Sequence, residues 1–318
     1  MNRVKIRVGM RAAAFPLFGV ALLAGAPASA ASRWGADYFP NVPLLTQDGT
    51  TVHFYDDLLK GKSVAINVIY THCKDECPLE TARLVQTQRL LGERMGKDIF
   101  FYSISIDPEH DTPAVLRAYA TKFAVGPGWL FLTGKAQDVA LVVRKLGLSR
   151  ASDPVNPDGH AASLMVGNEP TGRWMRNSAE DNPKFLAATI GKFLGFSEAM
   201  PQTSYTEARP LKMGQGEYIF TTRCATCHSV GEGARLGPDL AGVTERRPRA
   251  WLARYLLEPD KLRDEGDPTA TGLFRKYNSV VMPNLGLGMA DVAAVLSYLE
   301  GRRGASGNAA IKDPAAGR

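Results

Sequence analysis

No apolar run in this 318-residue chain is long enough to span a bilayer. The stretch from Ala12 to Ala26 has fifteen residues and contains Pro16, short of the roughly 20 that a spanning helix needs. Arg3, Lys5, Arg7 and Arg11 precede it and Ala28-Ser29-Ala30 follows, the order of a secretory signal over residues 1–30, cut after Ala30. An exported, periplasmic protein is implied, membrane-associated only if that segment is retained. A charge excess is missing as well. The leading segment holds four of the 38 basic residues and no acid, which leaves +2 against 32 acids, so no nucleic-acid partner is expected. A disulfide-rich framework is also missing. The four cysteines form two local pairs, Cys73/Cys77 and Cys224/Cys227, separated by 146 residues. This points to two thiol sites or one four-thiolate zinc site rather than a stapled scaffold. Internal repeats are absent, which excludes a solenoid.

What is present is ordinary globular material, 45% hydrophobic and 22% charged, long enough for two domains. From Val42 to about Phe196 short apolar runs alternate with amphipathic segments, the pattern of an α/β domain. Strands are predicted at Ser63–Tyr70, Asp98–Ser105, Trp129–Leu132 and Ala162–Gly167, the first two continuous enough to sit centrally. Helices are predicted at Leu79–Arg94, Pro113–Phe123, Ala136–Leu146 and Lys184–Leu194. The periodicity stops between Gly195 and Leu211, which reads as a linker. A short helical domain follows: Gly214–Thr222, Ala250–Leu257, and Val292–Glu300 with Asp291 as its N-cap. The tail from Gly301 is rich in Gly, Ala and Ser and reads as disordered.

Residues 224–228 read CATCH. Two thiols at this spacing reach the two vinyl groups of one haem, and the following imidazole faces the iron, so Cys224, Cys227 and His228 predict covalently bound haem c. The sixth ligand should come from downstream, where Met282 and Met289 are the candidates. Met282 is favoured: it sits in VVMPNLG, where Pro283 and nearby glycines make a loop able to lay a thioether on the haem face, and a His/Met pair suits electron transfer. Together with the GPDL at Gly237–Leu240 and the final amphipathic helix, these features resemble class I cytochrome c over about residues 210–302. The resemblance implies that the Pro238 carbonyl positions the proximal His228.

The other pair lies where a predicted central strand runs into a predicted helix, in NVIYTHCKDECPLE. Pro78 suits a helical first turn, and a cysteine at a helix N-terminus has its thiolate favoured by the dipole, so Cys77 is expected to be reactive or metal-binding. YTHCKDECP, then SIDPEHDTP at Ser105–Pro113, then His160 before a strand, together with YFPNVPLLTQDG at Tyr38–Gly49, resemble the Sco/SenC copper-chaperone family over about residues 38–196. That resemblance implies a thioredoxin-like fold and a copper site of Cys73, Cys77 and His160. Two thiolates and an imidazole suit Cu(I) and can also hold Cu(II). The family usually has Asp directly before that His, where this chain has Gly159 after Asp158. His72 and His110 are rival ligands, and His53 lies in a predicted edge strand.

The expected architecture is therefore an α/β thioredoxin-like domain (31–196), a linker (197–211), an all-α cytochrome c domain (212–302) and a tail (303–318). The leading functional expectation is copper delivery to the binuclear copper centre of cytochrome oxidase subunit II, as the resemblance implies, with haem exchanging single electrons with a redox partner protein. The alternatives are a thiol-disulfide oxidoreductase, in which Cys73 and Cys77 are the catalytic redox pair, and a plain electron carrier with a docking domain.

Overall fold

In β3 (Ser63–Ile69) every residue after Ser63 is buried, as expected of a strand covered on both faces. Alternate side chains enter different cores. Val64, Ile66 and Val68 pack with Phe54, Tyr102 and Val142 on one side of the sheet, while Ala65 and Ile69 pack with Leu84, Phe131 and Ile190 on the other. Each fully buried side chain of this size contributes about 1.5–3 kcal/mol, so a one-residue slip of β3 would invert both faces.

The structure is a computed structural model that describes residues 34–74, 76–148, 163–195 and 212–302. The predicted signal, linker and tail lie outside the described residues, as does His160. In chain order the first part comprises β1 (Pro43–Thr46), β2 (Thr51–His53), β3, α1 (Glu76–Leu91), β4 (Phe100–Ser105), α2 (Pro113–Lys122), β5 (Trp129–Thr133), α3 (Ala136–Lys145), β6 (Ser163–Asn168), β7 (Arg173–Ser178) and α4 (Pro183–Phe193). The sheet order is β2-β1-β5-β4-β3-β6-β7. Strands β3, β4 and β5 are parallel, with Ile66 opposite Tyr102 and Val68 opposite Ile104. Strand β6 runs antiparallel to β3, and β7 antiparallel to β6. The run β4-β3-β6-β7 with helices on both faces is the thioredoxin-like arrangement.

Helix boundaries follow their caps. Thr112 caps α2 through Val115 N–H ahead of Pro113, and Asn182 caps α4 ahead of Pro183, each a short polar acceptor followed by a proline whose missing N–H costs nothing there. Helix α1 starts at Glu76, three residues before the predicted start, which places Cys77 inside its first turn; Pro78 is tolerated because first-turn amides have no helical partner.

The second part is helical: α5 (Gln215–Ile219) with a wider turn through Cys224, α6 (Val243–Arg246), α7 (Arg249–Leu257), α8 (Pro259–Asp264), α9 (Pro268–Lys276) and α10 (Met289–Gly301). Its core joins Ile219 and Phe220 to Val295 and Leu299. Helices α5 and α10 cross so closely that a Cβ at Gly216 would lie 2.0 Å from the Ala294 carbonyl oxygen, so only glycine fits. Asp291 is not the N-cap of α10. Gly288 takes that position, and the Asp291 carboxylate reaches back to accept from Gly288 N–H at 3.1 Å, because an acid one turn in can satisfy the amides of the helix start as well.

Candidate functional site

The sequence Tyr70–Cys73 leaves the end of β3 as a tight turn in which Cys73 N–H donates to Tyr70 O at 3.2 Å. Its anchor is Asp111, which is fully buried. The Asp111 carboxylate accepts from Thr71 N–H at 3.1 Å, from the Thr71 hydroxyl at 2.5 Å and from the Ser105 hydroxyl at 2.6 Å. The Ser105–Pro113 segment thus holds the Cys73 turn through one carboxylate. Sequence reasoning quoted that segment without assigning Asp111 a role.

Cys73 and Cys77 are 4% and 0% exposed and carry thiols, not a disulfide. The hydrogen bond from Cys73, burial, and the nearby Cys73 and Glu80 charges push the Cys77 thiol well above its ordinary range. The N-terminal dipole of α1 favours a thiolate, but desolvation and a facing thiol outweigh it. Two thiols presented together and shielded from water suit a soft ion that displaces both protons. Of the rival imidazoles, His110 Nδ1 lies 2.9 Å from Asp107 and His72 Nδ1 lies 3.6 Å from the same carboxylate, their rings 5.7 Å apart and outside the thiol pocket's buried core. Among the described residues no cluster of three His, Cys, Asp or Glu side chains is arranged to hold a metal. The structure therefore brings together two members of the copper trio.

The second site is a cavity of about 400 Å³ in the helical part, within the size of small-molecule and cofactor pockets. Cys224, Cys227, His228, Pro238 and Met282 all line it. Met289 is 68% exposed on the first turn of α10. His228 Nδ1 donates to the Pro238 carbonyl at 2.9 Å; a carbonyl only accepts, so Nε2 keeps its lone pair for a metal. Burial lowers the His228 pKa, keeping the ring neutral. A Cβ at Gly237 would lie 2.5 Å from His228 Cε1, so glycine there is a condition of the ring's position. Burial pushes the Cys224 thiol up to about 12 and the Cys227 thiol up to about 11.

The donor set and the walls fit haem. Phe220, Leu252, Leu273, Val281 and Leu296 supply apolar surface for a macrocycle, and Arg223, Arg246, Arg247, Arg263 and Lys276 supply cations for its carboxylates. Asp239 was missed as a functional residue although it lies in the GPDL segment. Burial opposes its charge, but the N–H groups of Ala241, Gly231 and Gly233 and the Ser229 hydroxyl outweigh that and hold its carboxyl at about 2. It thereby closes the loop that carries Pro238.

Comparison with known proteins agrees with this division. Residues 33–194 match the SCO1/SenC family and residues 214–302 match cytochrome c. The chain is 26% identical over 155 residues to Protein SenC of Rhodobacter capsulatus, covering 48% of this chain and 68% of that protein. It is 35% identical over 92 residues to the SCO1 protein homolog of Bacillus subtilis, covering 29% and 46%, and 35% identical over 103 residues to the mitochondrial SCO2 homolog of Bos taurus, covering 31% and 37%. Against the copper-bound structure of ScoI from Bradyrhizobium japonicum the identity is 27% and the TM-score 0.39, covering 48% of this chain and 96% of that one. Since the matched segment is more than half of the chain, the chain belongs to the SCO1/SenC family, with a cytochrome c domain following the family domain.

Proposed function

We propose that this protein is an exported copper metallochaperone for the copper centre of cytochrome oxidase, coupled to one-electron transfer by a covalently bound haem c. The observation that carries the reading is the paired, buried thiols of Cys73 and Cys77 at the head of α1. Membership of a family whose members include cytochrome c oxidase assembly proteins supports the recipient. Cu(I) is the cargo: Cys73 and Cys77 bind it as thiolates and release their protons to solvent, with His160 as third ligand, and Asp111 holds the turn that presents Cys73.

In the second domain Cys224 and Cys227 form the thioether links, His228 offers Nε2 to the iron with its ring fixed by Pro238, and Met282 offers its thioether. Haem, when bound, supplies a one-electron couple. A Cu(I)/Cu(II) couple matches it one for one, whereas a Cys73–Cys77 disulfide takes two electrons, which places the oxidoreductase reading second. No described helix is long and apolar enough to cross a membrane.

The test is Cu(I) titration of the reduced, haem-loaded chain against a competing chelator. One tightly bound Cu(I) per chain, lost in Cys73→Ser and in Cys77→Ser, is the expected result. Full retention in either variant overturns the reading.

A further inference from the structure

All described residues belong to one compact unit, and the two redox loops touch across it. Asn284 N–H donates to the carbonyl oxygen of Lys74 at 3.3 Å. Lys74 directly follows Cys73, and Asn284 lies two residues after Met282. The Gln86 amide on α1 donates to the Thr226 carbonyl at 2.9 Å, and Thr226 lies between Cys224 and Cys227. Arg83, 6% exposed, donates to the carbonyls of Thr222 and Glu180 and so ties the turn before the haem cysteines to the end of β7. Leu79, two residues after Cys77, lines the haem cavity, and Cys227, Leu236 and Val280 pack against the core cluster that contains Cys73 and Cys77. An exposed ion pair, Lys74 Nζ to Asp264 at 3.0 Å, adds little by itself.

We propose that the outward face of α1 and the Lys74 turn are the seat of the chain's own haem domain, and that through this seat the state of the Cys73–Cys77 pair sets the ligation and potential of the haem iron. The proposal rests on the two-site reading above and adds a coupling between the sites. The route is short and stiff. Closing a disulfide draws the two sulfur atoms together, to about 2.05 Å, and gripping one ion with both sulfurs fixes their separation as well. Cys73 is bonded to Lys74, whose carbonyl is tied to Asn284 N–H, and Pro283 with its fixed φ is the sole residue between Asn284 and Met282. Few soft dihedrals remain to absorb the movement, so the Met282 thioether shifts with it. Gln86 and Arg83 hold the CATCH side of the ring against the same helix, so displacement at one end is not relieved by the domain sliding away.

The test uses the full haem-loaded chain in three forms: dithiol, disulfide and Cu(I)-loaded. Disulfide formation with a small azo oxidant passes two electrons and two thiol protons to the azo group, which becomes a hydrazine. Dithiol and disulfide are both neutral, so this arm carries no through-space charge effect. The readouts are the methionine-to-iron absorption band and the haem reduction potential. Wild type should give different bands and potentials in the three forms, and Gln86→Leu and Arg83→Leu should cut those differences by half or more at full covalent haem content. If Arg83→Leu does not fold, Gln86→Leu alone decides. Copper bound with an unchanged haem overturns the coupling and leaves the chaperone reading intact. No copper bound, with a haem that responds to the disulfide, overturns the chaperone reading and supports the coupling. Variants that respond as fully as wild type overturn the assignment to this seat.

Discussion

The two cysteine pairs are a controlled comparison inside one chain. Both stand as thiols, Cys73, Cys77 and Cys224 buried and Cys227 half-buried, and the thiols of Cys77, Cys224 and Cys227 are all pushed above the ordinary range. They differ in what they face. Cys73 and Cys77 face each other, so the hydrogen bond between them leads the Cys77 shift, and the space they share suits a single soft ion. Cys224 and Cys227 face a wide apolar cavity, burial leads their shifts, and the space suits a large flat molecule. The lesson is that a thiol's chemistry here is set by the shape of the space beside it, since residue type is common to both pairs and the shifts at Cys77, Cys224 and Cys227 share one direction.

The sharpest way to break the comparison is to remove the haem pair. Cys224→Ala with Cys227→Ala should yield chain with no covalent haem, checked by acid and organic-solvent extraction and by intact mass, while Cu(I) binding persists. Loss of both together would mean that the sites are not separable. The converse is Cys73→Ser, which should weaken Cu(I) by more than the 10–100-fold typical of outer-shell changes and leave the haem spectrum equal to that of the copper-free dithiol form of wild type. Its pH profile sharpens the point: because the Cys77 thiol is raised, protons compete with Cu(I) across the neutral range, so wild-type affinity should rise with pH there. A flat profile in a chelator competition corrected for the chelator's own protonation would contradict this.

A smaller effect is expected at Asp111. Asp111→Ala orphans the Thr71 N–H and the Thr71 and Ser105 hydroxyls in a buried site, a loss of roughly 3 kcal/mol, read by denaturant unfolding with copper affinity measured alongside. Met282→Ala should keep the haem attached and lower its potential, because a thioether ligand raises it; an unchanged potential and spectrum would remove Met282 from the iron. The smallest effect is at Asp239. Its folded pKa of about 2 lies below the ordinary 3.8, so its contribution is present above pH 3.8 and is lost as the pH falls towards 2. Asp239→Asn should therefore reduce stability at neutral pH and flatten the acid limb between those values.

How much of this was legible in the sequence varies with the range of the interaction concerned. Strands β3 and β4 were readable because both faces are covered and their apolar runs are unbroken. Strand β7, RWMRNS, carries two arginines on a half-exposed edge and gave no signal; β1 is four residues long and was not read, while the three-residue β2 is the edge strand expected at His53. Helix α8, six residues from Pro259, is too short to show a stripe, and α9, nine residues from Pro268, went unread although its apolar residues lie to one side. At the sites, CATCH was readable from spacing, because covalent attachment fixes spacing, whereas the roles of Pro238 and of the Cys73/Cys77 pair came from resemblance to the two families. Asp111 was not, since its key donor, Thr71, is 40 positions away. Arg83 reads as an ordinary helix-surface charge; its bonds to the carbonyls of Glu180 and Thr222, 97 and 139 positions away, are set by the tertiary structure.

The sequence by itself determined what each segment can do locally: which stretches alternate, which thiols have the spacing of a haem-attachment motif and which imidazole follows them. Tertiary structure decided that Cys73 and Cys77 share one buried space, that Asp111 anchors their turn, and that α1 meets the haem loops at Leu79, Arg83 and Gln86. The physical reason is that desolvation, Coulomb interaction and hydrogen bonding between distant segments depend on separations of a few ångströms in space, and local periodicity carries no record of which distant residues will be brought that close.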